Sequence, residues 1–263
     1  MAMSPGEAHL ATCVIPATLR FASQSYNARP TEASRAGIME KTKEPQYQSM
    51  IELEGSRGLE SLGMMTSYAW NDDPKRLTFT LSRYKFVSKL LAGRKNVLEI
   101  GCADAFGTRI VRQEVEKLTA TDFDPVFIKD VKNRMNPKWT FEAFVHDMLA
   151  GPVPPRDYDG IYALDVLEHI EPKDEKTFLD NLVGSLSPHG VVVLGMPSLE
   201  SQPYASPNSK AGHVNCKSMP DFKKTMSSYF HNIFMFGMND EMVHTGFHKM
   251  AHYLVALCVE RKA

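Results

Sequence analysis

Only four cysteines occur in 263 residues, Cys13, Cys102, Cys216 and Cys258, and no two form a Cys-x-x-Cys pair. A disulfide framework and a cysteine zinc knuckle are therefore excluded, and free thiols fit a reducing, cytosolic compartment. An excess of one charge is also missing, since 30 Lys and Arg against 31 Asp and Glu leave a net charge of −1. No broad field draws in nucleic acid or an anionic membrane, so neither is expected as a partner. Long apolar runs are lacking too. The longest, around 191–196 and 253–259, have strand length, whereas a membrane span needs roughly 20 residues. Two glycine signatures are likewise absent: the chain has neither the G-x-G-x-x-G of dinucleotide sites nor the G-x-x-x-x-G-K-[ST] phosphate loop.

What is present is a 43% apolar composition, ample for a packed core without metals or disulfides. Residues 1–38 are rich in Ser, Ala, Thr and Pro; their acids are Glu7 and Glu32, and Arg20, Arg29 and Arg35 are dispersed. That texture reads as a disordered tail, with an organellar transit peptide as the alternative. Residues 1–45 are accordingly set outside the fold, 46–92 form a helical lid segment, and 93–263 form the main domain. "DDPKRLTFTLSRYKFVSKLL" (72–91) spaces its apolar residues at helical intervals after an Asp-Pro start. Strands are expected at 96–100, 118–122, 140–145, 160–164, 190–196, 231–237 and 252–259, with helices at 107–117, 125–135 and 173–186. Alternating strands and helices imply a parallel sheet with right-handed crossovers. The expectation is an α/β, Rossmann-like, doubly wound, seven-stranded and mostly parallel sheet, with its last two strands an antiparallel pair at one edge.

Ligands of such sheets sit at the carboxyl ends of the strands. The first strand ends in "VLEIGCADAFG" (97–107), where small residues permit close approach of a ligand to the backbone. The second ends in "TATDFDP" (119–125) and places Asp122 where a carboxylate accepts hydrogen bonds from a ribose diol. With no phosphate-gripping glycine pattern, a nucleoside carrying a cationic sulfonium and an amino group suits the nearby acids Glu99 and Asp104; S-adenosylmethionine is such a ligand. Asp124 is placed to cap the helix that begins at Pro125, and Asp159 to bond structurally at a strand start.

Taken in order, "VLEIGCADAFG", "TATDFDP", "FVHDML" (144–149), "YDGIYALDVLEHI" (158–170) and "LSPHGVVVLGMPS" (186–198) resemble the motifs of the class I S-adenosylmethionine-dependent methyltransferases, small-molecule branch. The resemblance covers roughly residues 75–260. It implies cofactor contacts from Glu99, Gly101, Ala103 and Asp104 at the methionine end, Asp122 and Phe123 at the ribose, and Asp147 with Met148 at the adenine. Leu164 and Asp165 close the site, and Arg83, on an Arg-Tyr helix before the first motif, faces the methionine carboxylate. Ala103 and Ala105 stand where the family has glycine. Since alanine disfavours positive φ, the turn is expected to run at negative φ.

The segment 195–222, rich in Ser, Pro and Asn, reads as a long irregular substrate loop. His213 and Tyr204 within it, and His169 beside the fourth strand, are the candidate catalytic residues, needed as a base only if the acceptor is protonated. Residues 64–79 read as a lid with Tyr68 and Trp70 as aromatic walls, Trp70 being equally compatible with ordinary core. His244, His248 and His252 recur every fourth residue, but Gly246 argues against the helix that would align them. No metal is expected, and one or two of these histidines are assigned to the substrate pocket. The reading is a methyl transfer to an O or N atom of a small-molecule acceptor. The alternatives are a non-catalytic S-adenosylmethionine binder or sensor and, with the glycine register against it, a nicotinamide oxidoreductase. The oligomeric state is left open.

Overall fold

The computed structural model describes residues 41–262. The chain divides into two compact units at Glu60 and Ser61. The first carries helix α1 (Gln48–Arg57), whose C-terminal Gly58 turns out at φ 76°. The tail assigned to 1–45 lies outside the described residues except for 41–45.

Helix α2 (Met64–Asp72) is followed by α3 (Lys75–Leu90), the two separated at Asp73-Pro74, where proline's missing N–H cannot continue a helical ladder. Strand β1 (Asn96–Ile100), α4 (Thr108–Arg112), β2 (Lys117–Asp122), α5 (Pro125–Asn133), β3 (Glu142–Val145), β4 (Tyr158–Leu164), α6 (Glu175–Ser185) and β5 (Leu186–Pro197) complete the alternating half. Helices α7 (Pro207–Gly212) and α8 (Met219–Met226) then lead to β6 (Phe230–Asn239), β7 (Met242–His244) and β8 (Tyr253–Arg261). The sheet has eight strands in the order β3-β2-β1-β4-β5-β8-β6-β7. The first five in that order pair parallel, and β8 is antiparallel to both β5 and β6. The expected antiparallel pair is thus present, and β7 is the strand beyond the expected seven.

Sequence alternation decides which face each strand residue covers. Leu98, Ile100, Ile161, Ala163, Val192 and Leu194 join Phe178, Leu179 and Leu182 of α6 and Phe222 of α8 in one core. Val97, Tyr162, Leu164, Val191 and Val193 turn to the other face and meet Val87 and Leu91, Val111 of α4, and Ile128 and Val131 of α5. Both faces of the central strands are covered, so their sequences read as nearly continuous apolar runs. Each buried Leu or Val contributes about 1.5–3 kcal/mol relative to exposure. The strand order reverses between β1 and β4, which pair side by side through Leu98 and Ile161. Their carboxyl ends therefore open onto the crevice where this architecture receives ligands.

Two connections differ from expectation. Helix α4 ends at Arg112 because β2 already begins at Lys117. The 195–222 segment is largely helical: Ser198, Ser206 and Ser218 each accept the backbone N–H three residues on, opening a 3-10 helix (Leu199–Tyr204), α7 and α8 respectively. Serine and proline here are helix-start chemistry.

Candidate active site

A cavity of about 790 Å³ lies at the carboxyl ends of β1 and β4, between the 101–107 turn, helices α2 and α3, and the 165–169 and 209–213 segments. Its floor is the turn after β1. Gly101 sits at φ 72°, and a Cβ there would strike the Val166 side chain, so glycine is required both by conformation and by space. Ala103 and Ala105 also sit at positive φ, 46° and 51°, which corrects the expectation of negative φ. Tertiary bonds override the local preference. Ala103 N–H donates to the Asp122 carboxylate (2.8 Å), Ala105 N–H to the Cys102 carbonyl (2.7 Å), and the Gly101 and Cys102 N–H groups to Thr121 O. Arg134 grips the Asp104 carbonyl from α5's end at 2.6 Å.

Asp122 is 6% exposed, does not itself line the cavity, and holds Ala103 N–H with one oxygen and Asp124 N–H with the other (2.9 Å). Asp124 in turn caps α5 through Val126 N–H, and Asp159 receives the Lys95 and Asn96 N–H groups, both as expected. Glu99 sits beneath the turn and does not line the cavity. Its carboxylate accepts the hydroxyls of Tyr84, Thr108 and Tyr162. Burial pushes Glu99 up to about 7 against the stabilising pull of those three donors.

Asp104 lines the cavity and ties the lid down. One of its oxygens accepts Thr66 N–H (2.7 Å) in the first turn of α2, supplying the cap that Gly63 cannot. Asp130 reaches Met64 N–H at 3.4 Å and is locked by Arg134 at 2.7 Å. A Cβ on Gly63 would collide with the Asp104 carboxylate, so this contact needs glycine. The 64–79 segment therefore does cover the turn, and Tyr68 lines the cavity. Trp70 is 56% exposed, which makes it neither a cavity wall nor core.

Arg83 forms a two-pronged pair with Asp165 (2.9 and 3.1 Å), and its guanidinium lies 3.7 Å from the Tyr253 ring centroid. Asp165 stands at φ 57° at the end of β4, its N–H bonded to Gly195 O. Next to this pair, Glu168 is wholly buried and neither carboxylate oxygen has a hydrogen-bond partner. Burial and the Asp165 charge push it well above the usual carboxylate range. His169 and His213 face one another with ring centroids 5.1 Å apart, and burial with the neighbouring His169 lowers His213. Their approach is built by the backbone: Val214 and Asn215 N–H both donate to Glu168 O, and the His169 ring bonds Gly212 O. Glu168, His169 and His213 bring potential ligand atoms within 4.8 Å of one another. No spacing in the chain signals this triad, because His213 comes from a separate segment.

The structure thus gathers Arg83, Gly101, Ala103, Asp104, Leu164, Asp165, His169 and His213 around one cavity. Others are placed elsewhere. Tyr204 is 90% exposed at the end of its 3-10 helix and does not line the cavity, so it is withdrawn as a catalytic candidate. Phe123 is 73% exposed, Asp147 is exposed and caps its own turn at Leu149 N–H, and the Met148 side chain is core. None of the three lines the cavity. His244, His248 and His252 lie outside it as well, on the β7 side, where His244 bonds Asn239. Among the described residues no helix is long and apolar enough to cross a membrane.

Residues 97–190 match the family model described as a methyltransferase domain. No curated protein matches the chain. Among solved structures, the N-methyltransferase NodS from Bradyrhizobium japonicum WM9, in complex with S-adenosyl-L-homocysteine, is similar at 22% identity and a TM-score of 0.53, over 74% of this chain and 92% of that one. The methyltransferase domain of bacterial CtHen1-C is similar at 13% identity and a TM-score of 0.57, over 69% and 98%. The DhpI-SAM-HEP complex is similar at 16% identity and a TM-score of 0.51, over 76% and 99%. At these identities the shared property is the fold, a Rossmann-like α/β architecture.

Proposed function

We propose that the protein is an S-adenosylmethionine-dependent methyltransferase acting on an O or N atom of a small molecule. The observation that carries this reading is the acid-lined cavity at the β1–β4 switch point, whose floor, the 101–107 turn, belongs to the segment that matches a methyltransferase domain. Asp104 and Asp165 on its walls suit a ligand bearing a cationic sulfonium and an amino group. Each Asp122 oxygen accepts one backbone N–H and keeps a lone pair for a ribose hydroxyl. The cavity's size falls within the usual range for small-molecule sites of roughly 300–1,000 Å³. The complexes of NodS with S-adenosyl-L-homocysteine and of DhpI with SAM support the same cofactor.

When bound, S-adenosylmethionine supplies an electrophilic methyl group. The chain's own residues align the acceptor and exclude water: α2 and α3 roof the cavity, and Asp104 holds the roof to the floor. His169 donates its Nδ1–H to Gly212 O and His213 its Nδ1–H to Gln202 Oε1, so each Nε2 is left with a free lone pair near the cavity. Either can take the proton of a hydroxyl or ammonium acceptor. The small RNA methyltransferase HEN1 shares the fold, but the balanced charge of this chain supports a small acceptor over a polyanion. The test is incubation with S-adenosylmethionine and a panel of hydroxyl and amine compounds, reading S-adenosylhomocysteine. Turnover with at least one small acceptor is expected. Turnover on RNA alone would overturn the substrate class, and cofactor binding without turnover on any acceptor would favour a sensor.

A further inference from the structure

We propose that Glu168, His169 and His213 form a binding site for a divalent transition-metal ion on the cavity wall. This rests on the methyltransferase reading only for its consequence, not for the site itself. One potential ligand atom from each residue lies within 4.8 Å of the others. Ligands about 2.1 Å from one tetrahedral ion stand about 3.4 Å from one another, so closure onto a metal draws these atoms together by up to about 1.4 Å.

Three features point to a cation. Glu168 is wholly buried with both oxygens unpartnered, a costly state for a carboxylate unless a cation or donor meets it. The nearby Arg83 makes no hydrogen bond to it: one terminal nitrogen holds both Asp165 oxygens, and its buried Nε, like the Glu168 oxygens, has no partner. The imidazoles are also set for ligation. A carbonyl oxygen fixes each Nδ1 as the protonated nitrogen, Gly212 O at 2.9 Å for His169 and Gln202 Oε1 at 2.8 Å for His213. The Gln202 amide is oriented by its own NH2 donating to Ser198 O at 3.0 Å, so its oxygen must face the histidine. Second-layer acceptors of this kind commonly hold metal-binding histidines in the correct tautomer. Finally, the 212–215 backbone is stapled to Glu168 and His169 by three bonds, so the triad is preorganised although its members come from two segments.

Two imidazoles and one carboxylate suit Mn²⁺, Fe²⁺, Co²⁺ or Zn²⁺ better than Mg²⁺ or Ca²⁺, which prefer oxygen throughout. Three protein ligands leave positions open toward the cavity, where all three residues line the wall. That narrows the acceptor to a compound that presents a hydroxyl to the ion, since coordination lowers the hydroxyl's pKa. With both Nε2 lone pairs given to the ion, neither histidine serves as base in the metal-bound state: the acceptor hydroxyl releases its proton to solvent, its oxygen bonds to the methyl carbon, and the carbon–sulfur bond breaks with its electron pair going to sulfur. The ion does not change oxidation state.

The test uses the full chain stripped with a chelator, titrated with Mn²⁺ by electron paramagnetic resonance and with Zn²⁺ by calorimetry, in the absence of any nucleoside or acceptor. One ion per chain is expected. His213→Ala and His169→Ala should each weaken binding by at least ten-fold, and His244→Ala, outside the cavity, should leave it unchanged. Circular dichroism confirms that each variant is folded. Absence of a one-to-one site, or binding by the His213→Ala and His169→Ala variants as tight as the wild type's, would overturn the proposal. Parallel titration with S-adenosylmethionine separates the two readings: a protein that binds the ion but gives no heat with the nucleoside refutes the methyltransferase, and one that binds the nucleoside but takes up no ion refutes the site.

Discussion

Replacing Ala103 by glycine should stabilise this protein, against the usual effect of that substitution. An alanine in the left-handed region costs about 1–2 kcal/mol, and Ala103 stands there at φ 46°. Glycine removes that strain but adds unfolded-state freedom worth about 0.4–1 kcal/mol. The Ala103 methyl is only half-buried, so little packing is lost. The net is a gain of about 0.5–1 kcal/mol, or a rise in Tm of about 1–4 °C at roughly 2–4 °C per kcal/mol for a chain of this size. Ala105 has the same backbone geometry at φ 51°, but its methyl is 4% exposed in the core. Losing that burial costs about 0.8 kcal/mol, which brings Ala105→Gly close to neutral. Ala69, in the middle of α2, is the control, and there glycine should cost about 0.5–1 kcal/mol. Differential scanning calorimetry of the three variants gives the order Ala103→Gly, Ala105→Gly, Ala69→Gly from most to least stable. A fall in Tm for Ala103→Gly as large as for Ala69→Gly would refute the argument that tertiary bonds hold a strained turn.

Two further outcomes follow from the same region. Glu99 is pushed from 4.5 up to about 7 by burial, so the folded state favours its protonated form. The stability it confers is complete below about pH 4.5 and lost as pH rises through about 7. Measured by urea unfolding, the stability of the wild type relative to Glu99→Gln should fall by about 3 kcal/mol between pH 4 and pH 8, at ~1.36 kcal/mol per pH unit; a flat difference would show that Glu99 stays ionised. Asp104→Ala removes the cap on Thr66 N–H and should cost about 1–2 kcal/mol, with hydrogen exchange accelerated across 64–72. Unchanged protection there would mean that α2 is held by other contacts.

The parts of this fold that were legible in the sequence are those where pattern and burial coincide. Strands β1, β4 and β5 are apolar runs, β1 followed by Gly101 and β4 by Asp165, and their carboxyl ends do form the cavity. The cap at Asp124 and the structural bonds of Asp159 were readable because an Asx cap and a strand-start carboxylate act locally. Ala103 and Ala105 were misjudged for the opposite reason. Local preference argues for negative φ, and the bonds that overrule it come from Asp122 and from Arg134, 19 and 30 residues away. The 195–222 segment was misread because Ser-Pro composition suits irregular loops and helix starts alike, and only the spacing of each serine to the N–H three residues on separates them. Strand β7 has three residues, too few to show a period. Tyr204 offered nothing to show that its ring points outward. That Glu168 is a buried acid without a partner is visible only once its surroundings are known.

The central claim is that the cavity at the β1–β4 switch point binds a positively charged sulfur nucleoside. Isothermal titration calorimetry with S-adenosylmethionine, S-adenosylhomocysteine and NAD on the wild type and on Asp122→Ala tests it most directly. The account requires saturable one-to-one heats with the first two ligands, none with NAD, and a loss of the order of 1–3 kcal/mol in Asp122→Ala, where ribose hydroxyls lose a charged acceptor. No heat with either sulfur nucleoside would contradict it.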